Sequence, residues 1–477
     1  MSIIIPANSA AGGGLGYQVT NSCRFNSADS SKMSKTSSSA GNSYKGTLSA
    51  WVKRSSLGSQ QIIGRQDSNY ARVIFNSNDT LRCYGNTSAE NNAFDLVTTR
   101  KFTDFSAWYH IVFAWDTTQS TASNRNKIYV NGVQQTSFTT ETNNPQNTSI
   151  GGGYFANSAG LFISGKTGDY FDGYMAEIVG IENTTYGPTA FGEFDEDSGI
   201  WKPLETVEDL TFGTNGFYLN FKDASNLGND ANGGTDFTET NIVTTDQSTD
   251  TCTNNGATLM ITGKDSVGSY IWVDVLSEGN LLGTSSGGQP YSNYVSTVAL
   301  TTGKWYWEST VIMSGSTNAN SGLGVKIANY AQRSAWNSDS GSYYFSTTGK
   351  KGNAQTPATN YGSAISNGNM VGVAYDATNG TIWFSINGSW QNSATLSEIA
   401  AGTTTNAAFS SMPSGAYLPF CTDATSTRTF SYGFNFGSPF YAISSGNADS
   451  NGFGNFEYEV PAGFLSICSL NLSKVLS

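Results

Sequence analysis

Residues 107–115 read Ala107-Trp108-Tyr109-His110-Ile111-Val112-Phe113-Ala114-Trp115, with almost no polar position to face water. A short run rich in aromatic and β-branched residues predicts a strand that is buried on both faces. Lys127-Ile128-Tyr129-Val130 follows and ends at Asn131-Gly132, a pair in which both residues tolerate positive φ. The two segments therefore predict an antiparallel hairpin inside a buried sheet.

The same local order recurs about 260 residues later in the chain. Val373-Ala374-Tyr375-Asp376 leads to Thr381-Ile382-Trp383-Phe384-Ser385-Ile386, which closes on Asn387-Gly388. The chain has 477 residues, among them 53 Gly, 27 Phe and 24 Tyr, a composition typical of many short strands joined by tight turns. A chain of this length is too long to fold around a single hydrophobic core. We therefore expect an all-β protein with negligible helix and two β-sandwiches.

The composition divides the chain into four parts. Residues 1–15 form an N-terminal arm with apolar Ile3, Ile4 and Ile5 ahead of a glycine-rich joint. Residues 16–185 form the first sandwich, and residues 266–477 form the second. Residues 186–265 are rich in Asp, Gly, Asn and Thr, which predicts an irregular connector with a few strands. The arm is interpreted either as a frayed terminus or as an anchoring strand.

Charge and cysteine content exclude several classes of function. The net charge is −12 and basic residues are scattered, whereas nucleic-acid binding needs a cationic surface. No apolar stretch is long enough to span a bilayer, and the N-terminus lacks the basic region of a secretory signal. The five cysteines are far apart and odd in number, which favours assembly in a reducing cytoplasm over a disulfide framework or a zinc site.

Candidate catalytic residues are few. His110 is the only histidine and lies within an apolar strand, so we interpret it as a core or edge residue rather than a general base. Two carboxylates suffice for glycoside hydrolysis, and Glu193-Phe194-Asp195-Glu196-Asp197-Ser198 begins like the Glu-x-Asp-x-x-Glu pattern of some concanavalin-like hydrolases. Ser198 stands where the last Glu should be, and the segment is predicted to be a solvated acidic loop. No catalytic residue is therefore assigned.

Turn and loop residues supply the candidate ligands for a metal ion or a bound molecule. Asp67, Asp79, Asp116 and Asp172 offer oxygen ligands for Ca²⁺, but their spacing follows no regular pattern, so turn capping is the better interpretation and no cofactor is expected. Loops of the second sandwich can present aromatic side chains for recognition at little entropic cost. For these candidates core packing is an equal alternative: Trp336, Tyr343, Tyr344, Tyr361 and Trp390.

Several motifs resemble known families. Ser49-Ala50-Trp51-Val52-Lys53-Arg54 and Asp172-Gly173-Tyr174-Met175-Ala176-Glu177, together with the hairpin that ends at Asn131-Gly132, resemble the laminin-G-like (concanavalin-like) jelly roll. Gly303-Lys304-Trp305-Tyr306-Trp307-Glu308 and Phe434-Asn435-Phe436-Gly437 resemble a SPRY domain. The resemblance implies two jelly-roll sandwiches of concanavalin-like type.

Other segments resemble structural proteins of tailed bacteriophages, namely Ile5-Pro6-Ala7-Asn8-Ser9-Ala10, Gly199-Ile200-Trp201-Lys202-Pro203 and Gly463-Phe464-Leu465-Ser466-Ile467-Cys468. That resemblance implies a non-enzymatic virion surface protein, either a tail fibre or receptor-binding subunit or a capsid decoration, assembled in the host cytoplasm. The expected partners are a host surface glycan or protein, other virion proteins bound through the arm, and two further copies in a trimer. The alternatives are a polysaccharide-degrading enzyme and a secreted bacterial adhesin, the latter disfavoured by the missing signal.

Overall fold

A computed structural model describes residues 16–476, with gaps at 38, 40, 66–69, 87–92, 149, 151–153, 156–159, 262–273, 286–291, 315–320, 329–340, 354–357 and 424–428. The predicted arm with Ile3, Ile4 and Ile5, as well as Trp336 and Asp67, lies outside the described residues. The described chain forms two compact units that divide between Asn255 and Gly256. Strands dominate both units, which confirms the all-β prediction.

The first unit is built from strands that pair in antiparallel fashion. They are β1 (Ser22–Phe25), β2 (Lys32–Thr36), β3 (Lys45–Arg54), β4 (Gln60–Arg65), β5 (Ala71–Phe75), β6 (Thr80–Gly85), β7 (Phe94–Lys101), β8 (Tyr109–Asp116), β9 (Asn126–Val130), β10 (Val133–Gln134), β11 (Phe138–Thr142), β12 (Gly160–Ile163), β13 (Gly173–Glu182), β14 (Gly192–Phe194), β15 (Trp201–Pro203), β16 (Phe217–Leu219), β17 (Thr238–Thr240) and β18 (Gln247–Ser248).

These strands form two large sheets and one small hairpin. The first sheet has the order β10-β9-β8-β3-β13-β1-β18, with β16 also paired to β13. The second has the order β11-β7-β6-β5-β4-β12-β2-β17, and β14 pairs only with β15. The core between the two large sheets contains Ile111, Phe113 and Trp115 from β8 and Met175 and Ile178 from β13. This is the sandwich that the sequence predicts.

The strand β8 is buried on both faces, as its sequence predicts. Ile111 and Phe113 face the core between the sheets, whereas Val112 packs in a separate apolar cluster with Phe191 and Tyr218. Residues 186–218, which follow β13, supply most of this second cluster and cover the outer face of the first sheet; they form the covering segment. Side chains alternate between the two faces of a strand, so a strand covered on both sides is largely apolar, and His110 and Asp116 are the buried polar or charged residues of β8.

The structure corrects the predicted connector over residues 186–265. Phe217–Leu219 pairs with β13, Thr238–Thr240 with β2 and Gln247–Ser248 with β1, so the segment up to Asn255 belongs to the first unit. The second unit begins at Gly256 rather than at 266. Strands of two or three residues show too little alternation to be recognised in a sequence, and these strands form only because partner strands from residues 22–36 and 173–182 are present.

The second unit contains β19 (Leu259–Ile261), β20 (Asp274–Ser277), β21 (Leu282–Ser285), β22 (Ser292–Ser296), β23 (Lys304–Met313), β24 (Gly322–Ile327), β25 (Ser342–Ser346), β26 (Lys350–Asn353), β27 (Thr359–Asn360), β28 (Met370–Asp376), β29 (Thr381–Ile386), β30 (Ser389–Trp390), β31 (Tyr417–Asp423) and β32 (Phe430–Asn435). Two short helices, α1 (Leu396–Ala401) and α2 (Ser469–Leu476), complete it. Its sheets have the orders β19-β22-β31-β24-β25-β26-β27 and β20-β21-β32-β23-β28-β29-β30, and they enclose a core around Trp305, Trp307 and Phe384.

No helix in the described part of the chain is long and apolar enough to cross a membrane.

Candidate functional site

An aromatic cleft of about 430 Å³ lies in the first unit, on the outer face of its first sheet. Its lining includes three tryptophans and two exposed side chains of the small hairpin and its turn: Trp51, Trp108, Trp201, Phe194 and Ile200. The tryptophans are largely buried, whereas Phe194 and Ile200 are 49% and 50% exposed. A mostly apolar concavity with few polar groups is the usual form of a small-molecule site.

The hairpin β14–β15 forms one wall of the cleft. Phe194 lies opposite Trp201 in the register of the hairpin, and their rings meet edge to face with centroids 4.9 Å apart. Glu193 and Lys202 form the preceding pair and are placed on the other face, because neighbouring residues of a strand point to opposite sides. The hairpin therefore presents aromatic rings to the cleft and charges away from it.

His110 packs under two of the tryptophans, Trp51 and Trp201. Trp201 Nε1 donates a hydrogen bond to His110 Nδ1 at 2.9 Å, and Trp51 stacks on the imidazole with ring centroids 4.7 Å apart. Because Nδ1 accepts, the ring proton lies on Nε2, which donates to Ser49 Oγ at 2.8 Å. Burial lowers the pKa of His110 to about 3, so the ring is neutral near pH 7. His110 is a buried, fully hydrogen-bonded residue, as expected from the sequence.

Asn131 provides a polar group in the cleft lining. Its Oδ1 accepts from the backbone N–H of His110 at 2.7 Å, which fixes the orientation of the amide. Among the described residues, none accepts a hydrogen bond from Asn131 Nδ2. The next residue, Gly132, lies against Trp201, since a Cβ built there would come within 2.3 Å of the indole.

A buried ion pair supports the opposite side of the cleft. Lys53 Nζ lies 2.7 Å from Asp250 Oδ2 and donates to Asn255 Oδ1 at the same distance. Trp108 Nε1 donates to Asp250 Oδ1 at 3.1 Å. The Trp108 N–H is therefore occupied by Asp250, and the charges of Lys53 and Asp250 neutralise each other. This side of the cleft presents the Trp108 ring rather than a net charge.

The acidic segment that resembles part of a hydrolase pattern lies in the hairpin and its turn. Gly192–Phe194 is a short strand rather than the predicted loop, because it pairs with Trp201–Pro203. Asp195 accepts from Ser198 N and Ser198 Oγ, and both Asp195 and Glu193 pair with Lys202. The hydrogen bonds from Ser198, together with Lys202, lower the pKa of Asp195 to about 2. Asp195 thus caps the hairpin turn, and Glu196 and Asp197 are exposed.

The candidate ligand residues of the second unit are mostly in its core. Tyr343 and Tyr361 are buried in the main cluster, and Tyr344 is buried in a smaller cluster on the opposite face of the same strand. Trp390 is half-buried and packs against a cluster around Tyr306. The burial of the three tyrosines favours core packing, the alternative that the sequence left open. Tyr343 and Tyr344 lie in β25, which is paired on both edges with β24 and β26. A weakly alternating sequence does not reveal that pairing.

The aspartates considered for calcium have structural partners. Asp79 pairs with Arg54, and Asp116 accepts from Thr118 N and Thr118 Oγ1 while it pairs with Lys45. Asp172 accepts from the backbone N–H of Ser27. Among the described residues, no group of three or more His, Cys, Asp or Glu side chains is arranged to hold a metal ion.

Sequence reasoning missed the cleft, although part of the signal was present. Trp51, Trp108 and Trp201 all lie in strand motifs or phage-like motifs of the sequence. The alternation of Glu193-Phe194-Asp195 and of Ile200-Trp201-Lys202 places one aromatic residue between charged or exposed neighbours, which is typical of a strand with one recognition face. The pairing of these two segments over the first sheet could not be read from the sequence.

Comparison with known proteins gives two domain matches. The family model described as the concanavalin A-like lectin/glucanases superfamily (laminin-G-like) matches residues 26–179, and the SPRY domain model matches residues 304–433. The chain contains a laminin-G-like domain and a SPRY domain. The crystal structure of the SPRY domain of human HERC1 has 15% sequence identity and covers 34% of this chain and 91% of its own, with a TM-score of 0.28. No curated protein matches the chain.

The two matches refine the position of the cleft. Trp51, Trp108 and Asn131 lie within the laminin-G-like match, whereas Phe194, Ile200 and Trp201 follow it in the segment that covers the outer face of the sheet. The lectin and glucanase domains of this superfamily make carbohydrate binding, or a binding module more generally, the coarse function that the comparisons support.

Proposed function

We propose that this chain is a non-enzymatic binding protein that holds a surface glycan in the aromatic cleft of its laminin-G-like unit. The observation that carries the proposal is the combination of a cleft of about 430 Å³, tryptophans supported from beneath by His110, and the half-exposed side chains of Phe194 and Ile200. Aromatic rings offer flat apolar area to the C–H face of a sugar, while the rigid ring costs little conformational entropy on binding.

The carboxylates near the cleft support binding rather than hydrolysis. Glycoside hydrolysis needs one carboxyl that can give a proton and one that acts as base or nucleophile. Asp195 is held ionised by Ser198 and Lys202, and Asp250 is paired with Lys53. The lowered pKa of Asp195 is the opposite of the raised pKa that a general acid requires.

A glycan array with three forms of the full chain tests this proposal. Phe194→Ser removes the exposed ring, and Leu57→Ser removes an apolar side chain of matching exposure, 47%, that does not line the cleft. We expect the wild type and Leu57→Ser to bind the same glycans, and Phe194→Ser to bind them about tenfold more weakly, a loss of about 1.4 kcal/mol. Equal binding by all three forms, or release of reducing sugar that a change at Glu193, Asp195 or Glu196 abolishes, would contradict the proposal.

We also propose that the chain acts on the surface of a tailed-phage particle, on the tail or the capsid, as a homotrimer attached through its N-terminal arm. The support is the phage-like motifs at both ends of the sequence and the apolar run Ile3-Ile4-Ile5 ahead of a glycine joint. Repeated weak sites on one particle raise avidity without new contacts. Removal of residues 1–14 should leave both units folded and prevent incorporation into particles. Normal incorporation of the trimmed chain would overturn the attachment role of the arm.

A further inference from the structure

The charges around the aromatic cleft restrict the chemistry of its ligand. We propose that the cleft selects uncharged sugar residues over acidic ones and that Asn131 donates a hydrogen bond to an oxygen of the bound sugar. The inference rests on the glycan-binding function proposed above and adds the class of glycan.

None of the described residues that line the cleft carries a positive charge that could pair with an acidic sugar. The described residues that line it are aromatic, aliphatic, amide, glycine and one cysteine side chain. The nearest cations in the supporting network are already paired, because Lys53 is buried against Asp250 and Lys202 is shared between Glu193 and Asp195. A carboxylate bound among the indole rings would lose its hydration without a cation in exchange, and an unpaired charge is costly to bury.

The hairpin next to the cleft adds a repulsive field. Its strands and turn carry four carboxylates, Glu193, Asp195, Glu196 and Asp197, against one ammonium group, Lys202. Glu196 and Asp197 are exposed. Glu196 and Asp197 follow Phe194 by two and three positions, so at low salt, where screening is weak, their charges disfavour an anion beside Phe194. Discrimination by an element that repels the wrong ligand is a common basis of specificity.

Asn131 supplies the polar half of the recognition. Its Oδ1 is held by the backbone N–H of His110, so the amide cannot rotate to present the carbonyl oxygen without losing that bond. The free Nδ2 is therefore oriented as a donor, and it requires an acceptor such as a hydroxyl or acetamido oxygen. The other amide of the lining, Asn255, is already used, because its Oδ1 accepts from Lys53 and its Nδ2 donates to the Ser106 carbonyl.

Binding of matched sugars to the full chain tests the selectivity. A panel of neutral oligosaccharides is compared with the same oligosaccharides after oxidation of their primary alcohols to carboxylates. Binding is measured by calorimetric titration in about 20 mM and about 500 mM salt, because charges are screened weakly at the lower concentration and strongly at the higher one. We expect each neutral ligand to bind at least tenfold more tightly than its oxidised partner at low salt, and the ratio to shrink at high salt. If the oxidised oligosaccharides bind as tightly as the neutral ones or more tightly, and Phe194→Ser loses this binding, the proposed selectivity is wrong but the proposed glycan binding stands. Binding of no member would remove the glycan function itself.

Three variants separate the sources of selectivity. Glu196→Lys should narrow the neutral-to-acidic ratio severalfold at low salt and leave neutral binding unchanged, whereas Glu141→Lys, at an exposed site in the second sheet, should change neither. Asn131→Asp keeps the acceptor for His110 N–H and suits the same turn, but it lacks the donor. It should bind neutral ligands at least tenfold more weakly, with an unchanged circular dichroism spectrum. Wild-type binding by Asn131→Asp would show that Asn131 only forms the turn.

Discussion

At the scale of single residues, Glu177 combines a strained backbone with a buried carboxyl. It occupies a bulge of β13, where the pairing with β3 shifts between Ala176 and Val179, and its φ is +49°. Its carboxylate accepts from Tyr218 Oη at 2.5 Å under the covering segment. Burial raises the pKa of Glu177 to about 7, against the opposing effects of the Tyr218 hydrogen bond and of Lys222. A bulge residue in left-handed conformation with a buried acid is costly, and the covering segment must stabilise it.

The raised pKa of Glu177 predicts how stability depends on pH. The unfolded carboxyl releases its proton near pH 4.5 and the folded one near pH 7, so the native state binds more protons between these values. The free energy of unfolding should therefore fall as pH rises through this window, by up to about 1.4 kcal/mol per pH unit from this group. Glu177→Gln, which keeps an acceptor for Tyr218, should match the wild type at pH 4 and exceed it increasingly up to pH 7.

Urea unfolding at a series of pH values measures this difference, with Glu141→Gln as a control that follows the wild type. The difference between variant and wild type is needed because His110, with a pKa lowered to about 3, contributes a pH dependence of opposite sign. A constant difference between Glu177→Gln and the wild type from pH 4 to pH 8 would show that Glu177 titrates normally.

The sequence predicts that these residues lie in strands, but it does not predict which distant residues they contact. The apolar neighbours of His110 were enough to place it in a buried strand. Its hydrogen bond with Trp201 joins residues 91 positions apart, and no local pattern encodes that distance. The same holds for Glu177. Its sequence context indicates only the end of a strand motif, and its hydrogen bond with Tyr218 joins residues 41 positions apart.

At the scale of elements, the Asn-Gly hairpins were predictable and the hairpin β14–β15 was not. Asn131 and Gly132 adopt φ of +48° and +78°, and Asn387 and Gly388 adopt +46° and +78°, as the two turns require. Local turn chemistry fixes such hairpins. The strands β14 and β15 have three residues each, so their position over the first sheet depends on the Trp201–His110 contact rather than on their own pattern.

Gly132 lies in the turn of the Asn131-Gly132 hairpin and contacts Trp201 of the cleft, so substitutions of Gly132 test whether the cleft depends on this turn. Gly132→Ala places a methyl group within 2.3 Å of the Trp201 ring as well as straining the backbone, whereas Gly58→Ala, at φ +97°, meets nothing within 4 Å. Both variants should lose about 1–2 kcal/mol of stability from the strained backbone. Only Gly132→Ala should also displace Trp201 and weaken glycan binding at least tenfold in a titration. Equal binding by the two variants would show that the cleft does not depend on the contact between this turn and Trp201.

At the scale of the whole molecule, the chain divides after Asn255 because the covering segment belongs to the first sandwich. Val112, Val179 and Ile181 on the outer face of the first sheet are buried by Phe191, Phe212 and neighbouring residues of that segment. The sequence predicted two sandwiches correctly. It misplaced their boundary, because a segment rich in Asp, Gly and Asn resembles a connector even when its few apolar residues close a core.

Fragments of the chain test this boundary. A fragment of residues 1–255 should unfold in one cooperative transition, because it retains both faces of the first sheet. A fragment of residues 1–185 should aggregate or bind a hydrophobic dye, since it exposes the apolar outer face of that sheet. Thermal unfolding with dye binding distinguishes the two. Cooperative, soluble folding of the shorter fragment would mean that residues 186–255 are a connector after all.

A crystal structure of the full chain with the tightest neutral oligosaccharide from the array is the most direct test of glycan binding in the laminin-G-like unit. The predicted result is a sugar ring against Phe194 and Trp201, with one of its oxygens within hydrogen-bonding distance of Asn131 Nδ2. A sugar bound only to the SPRY domain, with the aromatic cleft empty at saturating ligand, would contradict it.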